Sequence, residues 1–155
     1  MPALGGTSAQ PLRFLDFLIR EPVRATMLHG AGIPILVPAP ARFAIHKLIV
    51  GTRRRDTNEG TAKGDKDRQQ AVILMEAMMA LRQGQALADA YMEAWDRGPA
   101  WRQAIQESLS TLDTAVYDRL RDQLSSSIRG LDGDPSNMGY RASVGRINRA
   151  GSGTH

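Results

Sequence analysis

The 155-residue chain contains no cysteine, which removes disulfide scaffolds, cysteine nucleophiles and thiolate metal sites from consideration. No run of roughly 18 apolar residues occurs, so the sequence offers no membrane span. The first ten residues, MPALGGTSAQ, lack the basic start and apolar stretch of a secretory signal, and the expected setting is the cytoplasm. Aromatic residues are scarce. Tyr91, Trp95 and Trp101 fall at helical spacing, and they read as core rather than as platforms for stacking bases. His29, His46 and His155 have no second ligand at a metal-binding spacing, so no metal site is expected.

What is present is an ordinary globular composition, 42% hydrophobic and 23% charged, on a chain of single-domain length. Such a chain buries about 68–70% of its unfolded surface, enough for one core without covalent staples. The net charge is +4, but it is unevenly placed. Between Pro11 and Arg55 stand Arg13, Arg20, Arg24, Arg42, Lys47, Arg53, Arg54 and Arg55, opposed only by Asp16 and Glu21. Clustered positive charge attracts phosphates better than diffuse charge, so the first third is the candidate anion-binding part.

The pattern predicts a mainly α protein with one small β-hairpin. Residues 1–10 read as a flexible lead-in, 11–124 as the folded domain and 125–155 as a disordered tail. A short amphipathic helix is expected over Pro11–Ile19. Two apolar runs, Ala25–His29 and Ile33–Val37, flank Gly30 and Gly32 and predict a hairpin closed by Pro38. Two strands alone are marginal in water, so the hairpin needs something to lean on. Pro40 then suits the first turn of a helix through Thr52. The polar stretch Thr52–Asp65, with Gly60 and Gly64, reads as an exposed loop. Asp65 is expected to cap a long helix from Lys66 to Arg82, buried through Ala71, Leu74, Met75, Met78 and Leu81. Further helical faces follow after Gly84 and after Pro99, the last with a break near Asp113.

Chemistry concentrates in PAPARFAIHKLIV, the arginine triplet and KGDKDRQQA. Phe43 and Lys47 lie four apart and share a helix face, which places Lys47 at the edge of an apolar stripe. A lysine whose stem is packed there can present its ammonium to phosphate; the plainer reading is a lysine that only snorkels. Arg53, Arg54 and Arg55 follow directly, and guanidinium groups bind phosphate oxygens bidentately, although a solvated charge run is the commoner outcome. Lys66 and Asp67 would open the long helix. There Asp67 gains from the helix dipole and Lys66 does not, which suggests an anion at that helix end. The Asp65–Asp67 and Asp132–Asp134 pairs read as turn and cap chemistry rather than as metal ligands.

The segments AQPLRFLDFLI, GIPILVPAPARFAIHKLIV, RRR, KGDKDRQQA and RGPAWR together resemble the C-terminal half of a family of bacterial nucleotidyltransferase-like proteins. More distantly, they are similar to abortive-infection nucleotidyltransferase toxins of the polymerase beta type superfamily. The resemblance implies the helical C-terminal part of an α/β nucleotidyltransferase-like fold. It assigns phosphate contact to Lys47, support of the phosphate or nucleotide to Lys66, positioning to Asp67 and a place beside the acceptor path to Arg53, Arg54 and Arg55. The Gly-Ser turn and metal-holding aspartates of such relatives have no counterpart before Lys47. The expectation is therefore a truncated, nucleotide-binding domain that is inactive alone and has no catalytic residue of its own. Magnesium and a nucleoside triphosphate enter only if a separately encoded catalytic half completes it, with RNA or protein as acceptor. The competing expectation is a noncatalytic basic helical module that binds RNA or an acidic protein.

Overall fold

The computed structural model describes residues 14–52 and 58–140, and the expectations for 1–13, 53–57 and 141–155 lie outside the described residues. Along the chain run α1 (Leu15–Ile19), β1 (Val23–Met27), β2 (Ile33–Val37), α2 (Pro40–Val50), α3 (Asn58–Ala80), α4 (Gly84–Asp96), α5 (Pro99–Ser110) and α6 (Thr114–Arg129), then a 3-10 turn at Pro135–Asn137. The molecule is mainly α with one antiparallel hairpin, as the sequence pattern predicts. No helix among the described residues is long and apolar enough to cross a membrane.

α2 forms because Pro40 fits the first turn and Ala44, Ile45, Leu48 and Ile49 then recur on one buried face. It lies centrally, packed on α3, α4 and α5, with α1 beside it. α4 buries Leu87, Ala88, Tyr91 and Trp95 against α6, whose Leu120, Leu124 and Ile128 face back. Phe14 and Phe17 meet the Trp101 ring edge-on, with centroids 4.4 and 5.5 Å away. This pins α1 to α5 through apolar ring contacts.

Five expectations change. β1 is Val23–Met27 rather than 25–29, since the five-residue connection needs Gly30 and Gly32 at positive φ (56° and 89°) inside the loop. The loop predicted for Thr52–Asp65 is helical from Asn58 onward. Asp65, Lys66 and Asp67 therefore lie within α3, and Asp65 is no cap. Gly64 here is a contact residue rather than a breaker, because a Cβ at this position would fall 2.6 Å from the Gly51 carbonyl oxygen. The chain from Ser125 to Tyr140 belongs to the fold instead of a tail, because Leu120, Leu124 and Ile128 carry the α6 stripe past Ser125. Beyond it, Tyr91 donates a hydrogen bond to the Met138 carbonyl at 2.8 Å, and Tyr140 stacks on Tyr91 with centroids 5.9 Å apart. The break near Asp113 is a true helix start, where the Asp113 carboxylate accepts from the Ala115 N–H at 2.9 Å.

Candidate functional site

Lys47 sits in the last turn of α2, on the side that meets α3. Its ammonium donates to Asp67 Oδ1 at 2.5 Å and lies 5.4 Å from the centre of the Phe43 ring. The i, i+4 spacing read from the sequence thus stacks a cation on an aromatic face. The Asp67 side chain is 5% exposed and that of Lys47 is 21% exposed, so the carboxylate is enclosed and the lysine is the more accessible partner. A lysine ammonium has three N–H donors, so one bond to Asp67 leaves capacity for an incoming anion.

The junction is closed on its far side by backbone. Gly51 and Gly64 touch across the α2–α3 contact, and Arg68 donates to the Gly51 carbonyl at 2.8 Å while also pairing with Asp65. Arg68 therefore caps the C-terminal end of α2 as a cation placed at the negative end of its dipole. A cleft of ≈530 Å³ opens beside it between α3 and the α5–α6 connection, with Val72, Ile73, Leu112 and Val116 among its lining residues. Its size is within the range of small-molecule sites.

The structure brings Lys47 and Asp67 together and leaves Lys66 outside that contact. Lys66 is exposed, one residue and about 100° around α3 from Asp67. It lies more than two turns inside the helix, so an anion held at the α3 N-terminus is not the reason for its position. The anion facing Lys47 is the chain's own carboxylate. Arg53, Arg54 and Arg55 lie outside the described residues, between α2 and α3. No group of three or more His, Asp or Glu residues among the described residues could hold a metal ion.

A second charged cluster went unread in the sequence. Arg42, 4% exposed on α2, donates to Glu93 of α4 at 2.7 Å and to Glu21 at 2.9 Å, with its guanidinium carbon 5.0 Å from the Phe17 ring centre. Glu93 also accepts from Arg97 at 2.8 Å and from Arg20 at 3.2 Å, and Arg97 pairs with Asp16. The hydrogen bond from Arg42, aided by Arg97 and the nearby charges, holds the Glu93 carboxyl down at about 2 against burial acting the other way. Arg42 was countable only as part of the basic surplus, because its partners lie 21 and 51 residues away.

A family model described as a nucleotidyltransferase matches residues 1–96 of the 155, which include every element from α1 to α4 and the Lys47–Asp67 junction. No curated protein and no solved structure matches the chain.

Proposed function

Starting from a chain that belongs to this nucleotidyltransferase family, we propose that it contributes nucleotide phosphate contacts through Lys47, with Lys66 as an exposed support. The observation that carries this reading is the Lys47 ammonium, held against Asp67 and the Phe43 ring by a side chain that remains 21% exposed. A cation positioned before its ligand arrives loses little freedom on binding. Asp67 acts as the positioning residue, and the arginine triplet lies next along the chain for an acceptor strand or side chain. No group of three or more acidic or histidine side chains among the described residues could hold magnesium. In this reading the carboxylates that hold magnesium against a triphosphate come from outside the described residues. The setting is cytoplasmic.

Calorimetric titration with each nucleoside triphosphate, with and without magnesium, tests the reading. The expected result is measurable binding that weakens about tenfold in Lys47→Ala, one charge-assisted contact, and less in Lys66→Ala. Unchanged affinity in both variants would sink it. Binding of RNA that falls steeply with added salt, with no triphosphate binding, would favour the basic-module reading instead.

A further inference from the structure

The cleft of ≈530 Å³ beside Arg68 lies away from Lys47. One wall is on α3, through Val72 and Ile73, and the other is at the α5–α6 connection, through Leu112 and Val116. On α3 its lining residues stand about 100° or more around the helix from Asp67, so the cleft and the Lys47–Asp67 junction open on different sides of α3. The α3 wall falls inside residues 1–96 and the opposite wall beyond them, so the cleft does not belong to the matched family segment alone.

The apolar walls are in place before any ligand arrives. Val72, Leu112 and Val116 are half-buried and packed against the core, and side chains held in this way lose little freedom on binding. Ile73 is 66% exposed, an aliphatic group that the fold leaves in water.

The charge inside the cleft has one sign. Its charged lining residues are Asp65, Arg68 and Asp113, a net charge of −1 in a chain whose total is +4. Arg68 is engaged, since its guanidinium donates to the Gly51 carbonyl at 2.8 Å and pairs with Asp65. Asp113 has no cation among the described residues. One of its carboxylate oxygens accepts the Ala115 N–H at 2.9 Å, and the other is left to solvent.

From this combination we infer that the cleft binds a small organic cation, its aliphatic or aromatic body laid on Val72, Ile73, Leu112 and Val116 and its ammonium at the open oxygen of Asp113. Burial of apolar area supplies the attraction, and Asp113 selects the sign of the charge. An anion of the same shape would meet a carboxylate that nothing neutralises.

Tryptamine and indole-3-propionate test this directly, because they carry opposite charges on the same ring and two-carbon arm. Titrated into the whole chain at low salt and followed by amide resonances, tryptamine should bind with a Kd of about a millimolar, as suits a ligand of its size. The shifts should centre on Val72, Ile73, Leu112 and Val116. Indole-3-propionate should bind at least about tenfold more weakly. Asp113→Asn keeps the cap of α6, because Asn caps as well as Asp, and should weaken tryptamine about fivefold. Ile73→Ser changes an exposed side chain, should leave the helical circular dichroism intact and should weaken tryptamine about threefold. No saturable tryptamine binding, equal affinity for the two ligands, shifts centred elsewhere, or full affinity in both variants would each overturn the assignment. No nucleotide enters the titration, so its outcome is independent of the outcome for Lys47.

Discussion

Lys47 owes its position to two neighbours of opposite kind, a ring on its own helix and a carboxylate on the next. Lys47→Met keeps the packed stem and removes only the charge, so it isolates the ion pair from the packing. The expected loss is about 1.5–3 kcal/mol, the range for a hydrogen bond to a charged group, read from urea denaturation. The Arg42–Glu93 pair makes a different prediction, in pH. The Glu93 carboxyl falls from 4.5 in the open chain to about 2 in the fold, so its ionised form is favoured by folding. Its contribution is complete above about pH 4.5 and disappears as the pH falls toward 2. Glu93→Gln should flatten this part of the acid stability profile, whereas an unchanged slope would show that other groups govern it.

At the scale of elements, α3 shows how one residue type can serve two purposes. Gly60 and Gly64 interrupt a polar stretch, and from sequence alone they read as loop punctuation. In the fold, the missing Cβ of Gly64 lets α3 approach the Gly51 backbone, and Arg68 fastens the same contact. Gly64→Ala would raise helix propensity and still destabilise the protein, because the new methyl would meet a carbonyl oxygen that cannot swing away. About 1–3 kcal/mol is expected from such overpacking, which thermal unfolding should register as about 2–4 °C for each kcal/mol. A rise in melting temperature would mean that the two helices can separate at no cost. α2 needed less such information: Pro40 marks its start and Ala44 and Leu48 part of its face, while Ile45 and Ile49, rather than Phe43 and Val50, complete what is buried.

Across the whole molecule, the core is closed by a segment that its composition disguises. Ser125, Ser126 and Ser127 followed by Gly130 and Gly133 resemble a tail, yet Tyr140 returns to stack on Tyr91 and Met138 receives the Tyr91 hydroxyl. Tyr140→Ala should therefore cost about 2–3 kcal/mol, somewhat less than a fully buried aromatic, and should expose the amide protons of α4 to faster exchange. Protection unchanged in α4 would show that the segment adds nothing to the core. What the sequence by itself determined is the mainly helical class, the second strand, the start of α2 and the shared face of Phe43 and Lys47. All of these rest on periods of 2 or 3.6 residues and on proline chemistry, which act within one or two turns of chain. Only the tertiary structure decided that Lys47 faces Asp67 and not Lys66, that Gly64 is a contact, and that Arg42 belongs to Glu93. Those outcomes depend on which helices come to lie side by side. An isolated stretch of residues carries no record of neighbours 20 or more positions away, and burial sets how strongly such charges interact.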